Sequence, residues 1–153
     1  MRSQFLVVFW ALVFVVAAGR GPAADEKADA EKELKKFKGT WSVESHEAEG
    51  APAPAEDLKT ITLVFEGDKF EVRRDGKVFQ SGTQKVDPSR KPKTVDARVT
   101  EGEGKGKVML GIYQLDGDTL KVCFDPEGKK RPTEFKTATG SGTFLNVHKR
   151  TKK

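Results

Sequence analysis

The sequence predicts an all-β protein, an antiparallel up-and-down barrel of about eight strands that follows a short N-terminal helix. Short runs of alternating apolar and polar residues recur at a spacing of about 8–12 residues, which is typical of sandwiches and barrels. Turn dipeptides separate neighbouring runs, at Gly67-Asp68, Asp75-Gly76 and Asp116-Gly117. Consecutive strands should therefore pair as hairpins. Closure into a barrel would remove the exposed edges of such a sheet.

Residues 1–24 are predicted to be a signal peptide. A short basic start precedes an uninterrupted apolar run at residues 5–18, which suits a signal peptide and is short for a membrane span. Cleavage after Ala24 would leave residues 25–153 as a single barrel domain. We therefore expect export to the periplasm or the extracellular space. Retention of the segment as an amino-terminal anchor is the alternative.

Charge and composition narrow the classes of partner. The formal net charge is +5, and most charges alternate in sign along the chain, as on a solvated surface. Basic residues cluster at residues 149–153, K-R-T-K-K, a tail that could make weak contact with an anionic surface. No basic face with interleaved aromatic residues is visible, so we expect no nucleic-acid partner. We also expect no membrane span after signal cleavage, and a monomer.

The predicted elements follow one another along the chain. Residues 25–38 are rich in Ala, Glu and Lys, with Leu34 and Phe37 on one face of a helix that docks on the barrel. In the first strand, Trp41 and Val43 share one face and His46 lies on the other. Strands are predicted at residues 40–46, 60–65, 69–74, 77–80, 94–99, on both arms of a hairpin at 111–124, and at 143–149. Residues 81–86 either extend the strand at 77–80 or begin a new one, and residues 133–136 are an optional short strand.

The hairpin at residues 111–124 is the central ribbon of the predicted fold. It reads G-I-Y-Q-L-D-G-D-T-L-K-V-C-F. A three-residue loop that ends at Gly117 pairs Ile112 with Leu120 and places the aliphatic residues of both arms on one face. A two-residue loop would pair Tyr113 with Leu120. Because a one-residue slip exchanges the two faces, the apolar pattern favours the three-residue loop.

Residues that would support catalysis or metal binding are scarce. Cys123 is the only cysteine and lies in a predicted strand, so we expect a buried, unreactive thiol rather than a nucleophile. No Ser-His-Asp arrangement, carboxylate pair or phosphate-binding glycine loop can be defended. His46 and His148 lie near the ends of the first and last strands without a third ligand at metal-site spacing. We expect no enzyme activity, no cofactor and no metal.

Four residues are the candidate ligand contacts: Trp41, Tyr113, Arg131 and Arg150. Packing in the floor of the barrel is the favoured role for Trp41. If the face of Tyr113 is the barrel interior, its hydroxyl could contact a ligand. Arg131 and Arg150 could bind a carboxylate with two guanidinium nitrogens, or one of them could pair with Asp96 and fix a loop.

Four segments resemble a known family in the same order along the chain. They read L-K-K-F-K-G-T-W at residues 34–41, P-K-T-V-D at 92–96, G-I-Y-Q-L-D-G-D-T-L at 111–120 and R-P-T-E-F at 131–135. On these segments the chain resembles the uncharacterised lipocalin-like domain of planctomycete secreted proteins, over about residues 34–150. The resemblance implies a lipocalin-like barrel and brings no assigned activity.

The G-T-W triplet is also similar to the first strand of lipocalins proper. In that family a basic residue after the last strand packs across the tryptophan, and the resemblance implies that Arg150 covers Trp41 in this way. A guanidinium over an indole stabilises by about 0.5–2 kcal/mol. The contact would tie the first strand to the last.

The fold analogy favours a secreted, non-enzymatic binding module that holds a small apolar or amphipathic ligand in the barrel. The alternative is a pocket-free structural or protein-interaction domain of the cell envelope. The barrel interior distinguishes the two, since barrels of about eight strands can be filled or hollow. Small residues such as Gly111 and Ala97 would leave room, whereas Phe65, Phe70 and Phe124 would fill the space.

Overall fold

The computed structural model describes residues 21–152. The predicted signal peptide therefore lies almost entirely outside the described residues. The elements are α1 (Pro22–Phe37), β1 (Gly39–Ala48), β2 (Ala51–Pro52), α2 (Ala55–Leu58), β3 (Ile61–Glu66), β4 (Lys69–Arg74), β5 (Lys77–Asp87), β6 (Lys93–Gly102), β7 (Val108–Asp116), β8 (Thr119–Asp125) and β9 (Phe144–Arg150).

Eight of the strands form a closed antiparallel barrel. Each strand from β3 to β9 pairs with its neighbour in the chain, β1 pairs with β3, and β9 closes the sheet by pairing with β1. The two-residue strand β2 only extends one side of β1. The predicted all-β, up-and-down, lipocalin-like barrel with a short helix is confirmed. Within the described residues, no helix is long and apolar enough to cross a membrane.

Helix α1 closes one end of the barrel. It begins at Pro22, three residues before the predicted start at residue 25, and ends at Phe37. The predicted docking of Phe37 is confirmed, because its ring packs edge-to-face on Phe65 and Tyr113, with ring centres 5.5 and 5.2 Å away. Such pairs stabilise beyond the area that they bury.

The register of the β7–β8 hairpin differs from both predicted pairings. Leu115 pairs with Leu120, and Tyr113 pairs with Val122, so the loop is Gly117-Asp118. Gly117 has φ +56, which suits the first central position of a type II′ turn, where glycine is preferred. The turn residue therefore sets the register, and the aliphatic residues of the two arms do not gather on one face.

Both faces of this hairpin are buried, which explains why the apolar pattern misled the prediction. Tyr113 and Leu120 belong to the barrel core, whereas Ile112 and Cys123 are equally buried on the outer face. Residues 126–143, which we call the strap, run across that outer face. The thiol Sγ of Cys123, for example, lies 3.7 Å from the Lys136 carbonyl.

The strap is irregular along its whole length. The optional strand at residues 133–136 is absent from the structure, so that prediction was wrong. The far end of the strap is held by Glu49 in the β1–β2 turn, whose carboxylate accepts hydrogen bonds from the backbone N–H groups of Gly140 and Gly142. Charged acceptors make such bonds stronger than neutral ones. Side-chain hydrogen bonds, rather than pairing with a strand of the sheet, therefore hold the strap in position.

Candidate functional site

The barrel encloses a cavity of about 900 Å³. Its wall is mainly apolar, because alternate residues of each strand face inward. Phe37 of α1 lines one end, and exposed residues of α2 and of the β4–β5 turn line the other end, which is the mouth. Representative wall residues are Ile61, Leu63, Val72, Met109, Val122 and Phe144. The volume lies within the range of small-molecule sites.

Phenylalanine rings narrow the cavity without filling it. A Cβ atom at Gly111 would lie 2.4 Å from Cδ1 of Phe124, so the ring of Phe124 occupies the space that a side chain at Gly111 would need. The ring of Phe144 lies beside it, with centres 5.6 Å apart. The small residue on β7 therefore lets Phe124 lie against the wall, and the centre of the barrel stays open.

Two buried polar side chains in the wall lack partners. Both ring nitrogens of His148 and the amide nitrogen of Gln84 have no hydrogen-bond partner among residues 21–152. Buried polar groups are normally paired, so such exceptions call for an explanation. Burial, with a smaller contribution from His46, lowers the pKa of His148 to about 4. The imidazole is therefore neutral near pH 7 and offers one donor and one acceptor.

A bulge in β1 brings His46 to the same cavity. Val43 pairs with His148, but Ser45 pairs with Val147, so one extra residue sits between them on β1. The bulge reverses the alternation beyond it, and His46 lines the cavity with its Nδ1 2.5 Å from Oδ1 of Asn146. The prediction that His46 faces away from Val43 was wrong for this reason.

The mouth of the cavity carries most of its charge. Glu56 and Asp57 belong to α2, whereas Arg74 ends β4 and Asp75 begins the β4–β5 turn. The guanidinium of Arg74 lies over the ring of Phe79, 4.6 Å from its centre. Leu58, also on α2, is buried and lines the cavity just inside this charged rim.

The four residues predicted to contact a ligand are not among the described residues that line the cavity. Trp41 is fully buried and donates from Nε1 to the Phe37 carbonyl, 2.8 Å away. The Cζ atom of Arg150 lies 4.2 Å from the centre of the Trp41 ring, as the resemblance to lipocalins implies. Both residues therefore pack together at the α1 end of the barrel.

The guanidinium of Arg150 holds several elements at once. It donates to the carbonyls of Lys36 and Lys38 at the end of α1, the former at 2.7 Å, and to the carboxylate of Asp118 at 3.0 Å. Gly39 makes room for it, since this glycine has φ +129 and a Cβ there would lie 3.2 Å from Nη1 of Arg150. Glycine tolerates both conditions best.

Tyr113 faces the barrel interior, but its hydroxyl points to the helix. It donates to Oε1 of Glu33 on α1, 3.2 Å away. Glu33 is buried and also accepts from Lys93 at 2.6 Å and Lys36 at 2.7 Å. Burial opposes ionisation of Glu33, but the two lysines outweigh it and lower the pKa of its carboxyl. Burial and the Glu33 charge raise the pKa of the Tyr113 hydroxyl.

Arg131 lies on the outside of the barrel and anchors the strap. It donates to the carbonyls of Val95 and Gly111, at 3.1 and 2.7 Å, and to the carboxylate of Asp96 at 2.5 Å. The predicted alternative, in which an arginine pairs with Asp96 and fixes a loop, matches this arrangement. These three acceptors hold the guanidinium on the outer face of the barrel, so Arg131 is not placed to receive a ligand in the cavity.

The residues that the sequence did not single out include Gln84, Asn146 and Leu58, all of which line the cavity. Their types and positions carry no motif. No group of three or more His, Cys, Asp or Glu in the described residues is arranged to hold a metal ion. Comparison with protein-family models, with curated proteins and with solved structures finds no match to this chain.

Proposed function

We propose that this chain is a non-enzymatic binding protein that holds a small, mainly apolar molecule in the barrel cavity. The observation that carries the proposal is the mainly apolar cavity of about 900 Å³, closed by α1 at one end and lined by exposed residues at the other. A small molecule that enters it exchanges water contact for apolar contact, which is the main driving force for such binding. The cavity speaks against the pocket-free alternative.

The proposed place of action is the periplasm or the extracellular space. The support for this part is the apolar run at residues 5–18 with its short basic start. An exported carrier of apolar molecules would meet its ligand in water or at a membrane surface. The basic residues near the C-terminus, such as Lys149 and Lys152, are exposed and could add weak attraction to an anionic surface.

Titration with N-phenyl-1-naphthylamine, an uncharged apolar fluorophore, tests the proposal. Leu63 and Val64 are neighbours on β3, and only Leu63 lines the cavity. Leu63→Trp should fill part of the cavity and raise the dissociation constant by about tenfold. Val64→Trp adds the same ring to the outer face and should leave the dissociation constant within about twofold of wild type.

Two results would contradict the proposal. One is the absence of saturable binding to the wild-type protein, and the other is an equal response of the two tryptophan variants. Native mass spectrometry of protein purified without detergent provides a second, independent measurement. A retained molecule would add mass to the wild-type protein, and the Leu63→Trp variant should lack this added mass.

A further inference from the structure

We infer that the molecule held in the cavity is uncharged and carries a hydrogen-bonding oxygen, such as a hydroxyl or carbonyl, that is received by Gln84 or by His148. This inference rests on the proposed binding function and deepens it. It assigns a chemical class to the ligand from the polar groups in the wall.

The two side chains lie on opposite sides of the barrel. Gln84 belongs to β5 and His148 to β9, which are four strands apart in either direction around the closed sheet. Both line the same cavity. A molecule that occupies the cavity therefore lies between them, with the apolar wall around the rest of its surface.

Both side chains lack a partner that the protein could supply. The amide nitrogen of Gln84 and both ring nitrogens of His148 are buried without a hydrogen bond within the described chain. Leaving such groups unpaired is unfavourable. The amide N–H group of Gln84 requires an acceptor, and a neutral imidazole offers both a donor and an acceptor. A hydroxyl can satisfy either residue, and a carbonyl can accept from either.

The charges of the cavity disfavour an anionic ligand. In the described part of the chain, charged side chains line only the mouth, where Glu56, Asp57 and Asp75 outnumber Arg74. Burial keeps His148 neutral, so it provides no cation to a buried carboxylate. A desolvated carboxylate without a partner is strongly unfavourable. Lys59 pairs with Glu56 at this rim, at 2.7 Å, so the mouth keeps only a small net negative charge and offers an anion no net attraction.

A metal-centred ligand also fits this site poorly. A histidine that binds a metal through one nitrogen almost always donates from the other nitrogen to a carboxylate, a carbonyl or water. Within residues 21–152, His148 has no such partner at either nitrogen. Nδ1 of His46 is in hydrogen-bond contact with the side-chain amide of Asn146. The Asn146 amide would therefore compete with a metal ion for this nitrogen.

Competition with the bound fluorophore tests the inference. The probes are 1-dodecanol and dodecanoate at pH 8, which share an alkyl chain and differ in the charge of the head group. We expect dodecanol to displace N-phenyl-1-naphthylamine with an inhibition constant about tenfold or more below that of dodecanoate. At least one of Gln84→Met and His148→Leu should weaken the binding of dodecanol by about threefold to tenfold.

Gln114→Met is the matched control, because Gln114 is exposed on β7 and does not line the cavity. It should leave the inhibition constants of both probes unchanged. Equal inhibition constants for dodecanol and dodecanoate, or a dodecanol constant that neither Gln84→Met nor His148→Leu alters, would overturn the inference while fluorophore binding still upheld the proposed function. If the fluorophore itself does not bind, the proposed function falls and the inference falls with it.

Discussion

At the scale of single residues, Arg150 shows how one side chain closes the barrel. Its strand pairs with β1 next to Trp41, and its guanidinium covers the Trp41 ring. The same group donates hydrogen bonds to the Lys36 carbonyl at the end of α1 and to the carboxylate of Asp118 in the β7–β8 turn. Three elements that are distant from Arg150 in the sequence therefore depend on this one residue.

Arg150→Ala should lower the free energy of unfolding by about 2 kcal/mol, because the cation–π contact and the charged hydrogen bonds are lost together. Urea denaturation at pH 7 measures the change. Lys149→Ala removes a neighbouring exposed charge and should change stability by no more than about 0.5 kcal/mol. Equal stability of Arg150→Ala and wild type would show that the contact contributes nothing to closure.

His148 predicts a pH dependence of stability. Its folded pKa of about 4 lies below the ordinary value of 6.5, so the unfolded chain binds the proton more readily. The stabilisation is therefore complete above about pH 6.5 and is lost as the pH falls towards 4. Compared with His148→Leu, the wild-type protein should lose about 2 kcal/mol more between pH 7 and pH 5.

Chemical denaturation of both proteins at a series of pH values measures this difference. The variant removes only the imidazole of His148, so the difference between the two stability curves reports on that group. Parallel stability curves for wild type and His148→Leu between pH 7 and pH 5 would contradict the buried, neutral state of His148.

At the scale of elements, the strap explains why the single thiol is buried on the outer side of the sheet. Cys123 lies beneath the strap and is wholly removed from water, and burial raises the pKa of its thiol. Arg131 anchors the strap through Asp96 and two backbone carbonyls. The accessibility of Cys123 therefore reports on the attachment of the strap.

Arg131→Ala should release the strap and speed the reaction of Cys123 with an aromatic disulfide reagent by about tenfold or more under native conditions. The absorbance of the released thiolate follows the reaction. Lys130→Ala alters an adjacent exposed side chain and should react at the wild-type rate. An unchanged rate in Arg131→Ala would mean that other contacts suffice to hold the strap.

The sequence predicts the secondary-structure elements better than it predicts their register and the face on which each residue lies. The type and order of the main strands follow from alternation and from glycine turns, and the Trp41–Arg150 contact follows from the resemblance. The β1 bulge and the outer burial of Ile112 and Cys123 leave no local pattern, because they arise from pairing between distant strands and from a covering segment. The face of His46 and the hairpin register were mispredicted for these reasons.

The sequence alone does not decide whether the barrel is hollow or filled. Whether Phe124 fills the interior or lies against the wall depends on its pairing opposite Gly111, and a polar residue such as Gln84 in a strand predicts no ligand by itself. Only the assembled barrel shows that Gln84 and His148 line a single apolar space. The candidate site is therefore a property of tertiary structure.

At the scale of the whole molecule, the two ends of the barrel differ. The α1 end is packed and locked by aromatic contacts, by Arg150 and by the buried Glu33 with its lysine partners. The other end carries the four-residue helix α2 and a charged mouth. A barrel that is closed at one end and accessible at the other is suited to hold a molecule rather than to pass one through.

Methyl-selective NMR during titration with N-phenyl-1-naphthylamine tests this account most directly. The account predicts saturable shifts for inward methyl groups, at Ile61, Leu63 and Val122, which line the cavity. The exposed methyl groups of Val78 should not move. Shifts confined to outer residues such as Val78, or no shifts at all, would contradict a ligand-binding cavity.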